Sequence, residues 1–205
     1  DELEERYPEF PGLNLTFELR EAFVRHSGNA DAPENVEFAG VGGPLLEAQV
    51  VDVVDSIAYD THDADDALGL GFITLDDLRG VELWERASAN VGRRFPGLSG
   101  HAFRTAVGRE LLGMQVTDLL DETARRLEAA NVRSVEDVLV GLSPSMALLK
   151  RELERFLRER VYRHHRVLRM TANGMRVLRA LFAEYVTAPE LLPERHLRRW
   201  AGADA

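Results

Sequence analysis

Cysteine is missing from all 205 residues. Disulfides and thiolate metal ligands are therefore excluded, and any metal must be held by His, Asp or Glu. Lysine is nearly missing as well: Lys150 stands alone, and the rest of the Lys and Arg set is arginine. That skew follows either from genomic composition or from the suitability of the guanidinium fork for bidentate phosphate contact. No apolar run reaches the roughly 18 residues that a membrane-spanning helix requires. Asp1-Glu2-Leu3-Glu4-Glu5 is acidic where a secretory leader is basic, so the expectation is a cytoplasmic protein with no membrane partner. Basic charge is also short. A net charge of -10 argues against general nucleic-acid binding, because neutralising phosphates needs a basic surface.

Strand signals are the last absence. No stretch alternates apolar and polar residues at period two and no repeat is evident, so the predicted class is all-α. Hydrophobic residues at 45% and charged residues at 29% describe a chain that folds, as one helical unit over 1–205 or as two small ones.

Helical spacing starts at Phe17 and runs to His26, with Asn14 or Thr16 as the cap. The stretch 31–43 reads as an exposed loop. Pro44 then sits as a first-turn residue for a long helix over Leu45–Leu68, stopped by Gly69 and Gly71. Thr74-Leu75-Asp76-Asp77 resembles a capping box opening a short helix. Further helices are predicted over Val81–Ala89, His101–Ala130, Met146–Tyr162, Val167–Val186 and Glu194–Trp200, with starts at Ser134-Val135-Glu136-Asp137 and Ser143-Pro144.

The helix over Leu45–Leu68 is the informative one. Ala48, Val50, Val51, Val53, Val54, Ile57 and Ala58 cover so much of its circumference that burial on most sides is expected. Asp55, Tyr59 and Asp63 nevertheless recur at i, i+4 and i+8, within about 80° of one another over about 12 Å of axis. Asp52 and Asp66 extend the line. Either this face is wet and the acids solubilise it, or it is a pocket wall. In the second case one aspartate binds a divalent cation, while the tyrosine and the other aspartate hydrogen-bond a substrate hydroxyl.

Tyr7-Pro8-Glu9-Phe10-Pro11-Gly12-Leu13-Asn14-Leu15-Thr16, Leu46-Glu47-Ala48-Gln49-Val50 and Asp55-Ser56-Ile57-Ala58-Tyr59-Asp60-Thr61-His62-Asp63 together resemble the bacterial deoxyguanosinetriphosphate triphosphohydrolase-like (dNTPase) family of HD-domain enzymes. A weaker likeness runs through Leu153 to Pro193, including Tyr162-Arg163-His164. The resemblance implies an HD-type helical bundle over 1–130, in its C-terminal portion, with a C-terminal helical subdomain over 131–205. It implies Asp55 as the last ligand of an H…HD…D metal set holding Mg, Mn or a similar ion, and Tyr59 and Asp63 as contacts to the deoxyribose 3′-hydroxyl. The implied reaction is hydrolysis of a dNTP to a deoxynucleoside and inorganic triphosphate by metal-activated water. The family's first histidine and HD doublet lie upstream of Tyr7, so this chain corresponds to the C-terminal half. Homo-oligomers are common in the family, so association is expected.

A triphosphate needs cationic donors, and Arg93, Arg94, Arg104 and Arg109 gather near a loop-to-helix junction; Arg104 is the preferred substrate contact. His26, His62-Asp63 and Asp118 or Asp121 form an alternative H…HD…D reading, disfavoured by their setting. His62, seven residues from Asp55 and so able to face the same pocket, is kept as an outer or phosphate contact. His164 and His165 are expected to diverge on a helix, and Trp84 and Trp200 to serve core or subunit packing. Two other functions fit the residues: a helical nucleotide-sensing or oligomerisation module without chemistry, and an HD phosphohydrolase of cyclic or alarmone nucleotides. The latter has no reason for Tyr59 and Asp63.

Overall fold

The structure, a computed structural model, describes residues 6–10, 12–26, 37–38, 44–130, 139–194 and 196–197. Among them are six α-helices and no strand, as the all-α reading requires: α1 Phe17–His26, α2 Leu46–Gly69, α3 Glu82–Arg94, α4 Gly100–Ala130, α5 Pro144–Leu157 and α6 His165–Thr187. A π-helical turn, Arg158–Tyr162, follows α5, and a 3-10 turn, Pro189–Leu191, follows α6. The chain divides into two compact units, Asp1–Arg155 and Phe156–Ala205. The boundary read from sequence, 130/131, falls where α4 ends, whereas this division keeps most of α5 with the first unit.

Local chemistry sets the helix ends. Thr16, not Asn14, caps α1, its hydroxyl accepting from the Leu19 amide at 3.3 Å. Leu45 is the N-cap of α2, so Pro44 lies just ahead of the helix rather than in its first turn. At the far end Gly71, at φ 68°, permits Phe72 N to reach Ala67 O and its own amide to reach Leu68 O, the two bonds of a Schellman stop. The Thr74–Asp77 capping box forms reciprocally, with Thr74 N and Oγ1 donating to Asp77 Oδ2 and Asp77 N donating to Thr74 Oγ1. It opens a run of turns over 75–80 instead of a helix, and α3 starts only at Glu82, beyond Gly80 at φ 92°. Ser143 caps α5 through Met146 N, and Asp118 of α4 holds Ser143 by both its amide and hydroxyl.

In the first unit α4 packs against both α2 and α3. Ile57, Leu119 and Val140 form a buried cluster covered by Leu46, Val53, Leu112 and Leu142. Several polar residues buried on these faces find partners, as most buried amides and hydroxyls do. Gln49 donates to Pro44 O and accepts from the amides of Leu139 and Val140; Thr61 donates to Ile57 O. At the end of α4, Glu122 accepts from Arg125 and Arg126, and Arg126 also donates to Leu142 O at 2.9 Å. A Cβ on Gly141 would lie 2.6 Å from the Arg126 guanidinium, so a side chain there requires that arginine to shift.

The run Met146–Tyr162 is not one uniform helix: α5 ends at Leu157 and the backbone continues as the π turn. In the second unit α6 contacts the π turn and the 3-10 turn, and none of its residues is buried. Trp84 is buried on α3, in keeping with a core role. Trp200 and the predicted start at 134–137 lie outside the described residues, as does much of the predicted closing helix.

Candidate functional site

The polar stripe of α2 lies on the side of the helix away from its core contacts. The described residues of α2 that are buried are Gln49, Ile57, Asp60, Thr61, Ala64 and Ala67, with Gln49 turned to the 139–140 segment and Asp60 to Lys150 of α5. Val50, Val51, Val54, Asp55 and Tyr59 are exposed, Val51 by 62% and Tyr59 by 60%, and Asp63 is half-buried. The expectation of burial on most sides is thus corrected. Hydrophobicity all round a helix reports which faces could be covered, and here only one is. On the open side Val51, Asp55 and Tyr59 form one strip, with Val50 and Val54 farther around the helix.

Two cavities flank this strip. One, of about 390 Å³, lies between α1 and α2 and is lined by Leu19, Phe23, His26, Val51, Asp52 and Asp55. At its rim His26 Nδ1 meets Asp52 Oδ1 at 2.7 Å, one turn before Asp55. The second, of about 190 Å³, lies between α2 and α4 and includes Thr61, His62, Asp65, Arg104 and Arg109. His62 and Asp55 therefore line different cavities, and the shared pocket allowed from sequence is not formed. Arg104 Nε stands 3.3 Å from Asp65 Oδ1, close enough for charge attraction, yet the N–H is not aimed at the oxygen. Both atoms are shielded from solvent without a hydrogen-bond partner, so the pair retains unspent donor and acceptor capacity beside an open volume.

The four arginines do not converge. Arg93 donates to Asn90, and Arg94 lies over the Phe95 ring at 5.3 Å. Both leave the second cavity to Arg104 and Arg109.

Among the described residues no three His, Asp or Glu side chains are grouped to hold a metal ion. Asp55 alone does not fit one, because catalytic sites use about three protein ligands. The alternative H…HD…D set is also unassembled: His26 is turned to Asp52, His62 to the α4 side, and Asp118 is engaged with Ser143. His164 and His165 depart from expectation in another way. His164 is the extended N-cap of α6, not a helical residue, so its ring meets that of His165 with centroids 4.4 Å apart. Burial, followed by the charges of His165 and Arg166, pushes its imidazole below the ordinary value, and neutral Nδ1 accepts from Arg166 N.

One cluster escaped sequence reading. Lys150 of α5 is 6% exposed and donates to Ser56 Oγ at 2.8 Å, to Asp60 Oδ2 at 2.5 Å and to Glu154 Oε1. Burial pushes the Asp60 carboxyl up, opposed by the hydrogen bond and charge of Lys150 and reinforced by Glu154 and Asp63. The available signal was compositional: the sole lysine of an arginine-rich chain, at i, i+4 from a glutamate, on the otherwise apolar side of a helix.

Residues 140–205 match the phosphohydrolase-associated domain family. Over 207 residues the chain is 39% identical to a deoxyguanosinetriphosphate triphosphohydrolase-like protein of Geobacter metallireducens, covering 97% of this chain and 54% of that protein. Proteins described in the same words from Thiobacillus denitrificans and Azoarcus sp. are 39% and 37% identical, across 97% and 95% of this chain and 55% and 54% of their own lengths. The chain thus spans about half the length of the curated relatives it matches. With 39% identity over 97% of its residues, the chain belongs to the deoxyguanosinetriphosphate triphosphohydrolase-like family.

Proposed function

We propose that this chain forms one wall of a dNTP triphosphohydrolase site, the part that reads the sugar. The observation that carries the proposal is the display of Asp55, Tyr59 and Asp63 along the open face of α2, beside an apolar groove and within one helix length of the Arg104 cavity. In the reaction, water adds to the α-phosphorus, the bond from phosphorus to O5′ breaks, and O5′ takes up the proton released by the water. The products are a deoxynucleoside and inorganic triphosphate.

Tyr59 and Asp63 hydrogen-bond the 3′-hydroxyl, with the phenol ring beneath the sugar leaving no room for a 2′-hydroxyl. Arg104, and Arg109 across the same cavity, supply guanidinium donors to the phosphates. Asp55 would give one carboxylate to a divalent metal that activates the attacking water, with the other donors supplied by the portion of the relatives' length that this chain does not span. Among the described residues no further ligand joins Asp55 in a three-residue cluster. The exposed apolar side chains of α6, among them Leu178 and Phe182, support association with further copies of the chain. A dNTP substrate is met in the cytoplasm, where we place the protein.

The complete enzyme is expected to turn over dGTP in preference to GTP, and Asp55→Ala to abolish hydrolysis while far-UV circular dichroism stays helical. Equal turnover of the two nucleotides sinks the sugar-reading role, and an active Asp55→Ala removes that residue from the site. A second reading, a nucleotide-sensing or oligomerisation module without chemistry, is favoured by the lack of a three-ligand cluster among the described residues. Nucleotide binding without phosphate release would select it.

A further inference from the structure

We infer that Lys150 is a positioning residue for the sugar-reading face: by clamping Ser56 and Asp60 it fixes the rotation of α2 that presents Asp55, Tyr59 and Asp63. This rests on the reading of that face given above, and it identifies a residue on another helix that tunes it.

A rotation of about 100° separates neighbouring residues on a helix, so Ser56 and Asp60 lie directly beside Asp55 and Tyr59 around the axis. The adjoining contacts of α2 are apolar, through Ile57 and Val53, or small. Ala64 and Ala67 are buried, and a Cβ on Gly108 of α4 would come no closer to Thr61 than 3.9 Å. Apolar burial is non-directional, so packing of this kind leaves α2 more freedom to turn than directional hydrogen bonds do. The ammonium group removes that freedom. Its hydrogen bonds are charge-assisted, come from a side chain itself anchored by Glu154 on the same helix, and end on two successive turns of α2.

Stability alone gives weak reason for the cluster. A buried ion pair roughly breaks even against apolar packing of the same volume, and its best-attested use is to specify one arrangement among several. Here the arrangement specified is the angle of the helix that carries the stripe. The placement of Asp60 and Asp63, which lie near enough for like-charge repulsion, makes the restraint directional: without Lys150 the buried Asp60 carboxylate has an incentive to leave its place.

The test compares Lys150→Met, Lys150→Arg and Ser56→Ala with Tyr59→Phe and Asp63→Asn in the complete enzyme. KM and kcat are measured for dGTP and GTP separately, together with the thermal midpoint. Misplacement of binding groups by a fraction of an ångström is expected to raise KM for dGTP about tenfold in Lys150→Met and to shrink the preference over GTP, with kcat changed less. Lys150→Arg recovers part of both. Ser56→Ala, which deletes one hydroxyl and no charge, moves KM and preference in the same direction by about threefold, and it decides the matter if Lys150→Met does not fold. A thermal midpoint lowered in Lys150→Met and Ser56→Ala, with KM and preference at parent values, makes the cluster purely structural and overturns the inference. If Tyr59→Phe and Asp63→Asn also leave the preference untouched, the sugar-reading face itself falls, and the clamp with it.

Discussion

At the scale of single residues, α2 carries two kinds of apolar side chain that look alike in sequence. Ile57 is fully buried, in contact with Leu119 and Val140, whereas Val51, six positions earlier, is open. Ile57→Ala is expected to destabilise this chain by about 2–5 kcal/mol, because the site cannot collapse around the lost methyl groups. Val51→Ala should change stability by less than about 0.5 kcal/mol. Urea unfolding of both variants checks the assignment of faces, and similar losses would contradict it. The stripe of Asp55, Tyr59 and Asp63 was legible from spacing, and its meaning from the surrounding words of sequence. The bareness of the valines beside it was not, since periodicity identifies a surface without saying what covers it. Lys150 was illegible for a related reason: its partners on α2 are 90 and more residues away, and no local pattern brings Ser56 to it.

At the scale of elements, the C-terminal end of α4 is secured by one carboxylate. Arg125, then Arg126, hold Glu122 down to about 2, well below its ordinary 4.5. A carboxyl depressed on folding stabilises the native state above its unfolded value and loses that contribution as pH falls through the folded value. Glu122→Gln is therefore expected to lower the melting temperature at pH 7, with the gap to the parent closing as pH falls from about 4.5 toward 2. Thermal melts at pH 7, 4 and 3 measure this, and a gap unchanged at pH 3 would show that the charge is irrelevant. Helix existence was legible throughout the described residues, because caps such as Ser143 and stops such as Gly71 act locally. Two features were not. The capping box at Thr74 satisfies its own bonds whether or not a helix follows, and the π turn after Leu157 shifts the periodicity by too little to be seen against an amphipathic run.

At the scale of the whole molecule, charge acts before any contact does. With a net charge of -10, this chain is expected to show no binding to duplex DNA at physiological salt, as read by fluorescence anisotropy. Saturable binding with a steep salt dependence would reveal a basic patch that the formal charge conceals. The division into two units after Arg155 was read from sequence some 25 residues earlier, at the end of α4. Composition marks where a helix stops, but long-range ties such as Lys150 to Asp60 decide which unit the next helix joins.

That single lysine also makes the fold its own reporter. The chain has one side-chain amine, and it is 6% exposed. Acylating reagents that decorate most proteins at many points have one side-chain amine to find here, and they reach it only when α5 lifts from α2. The rate at which Lys150 takes up such a label is thus a clock for that separation, free of background from any other lysine.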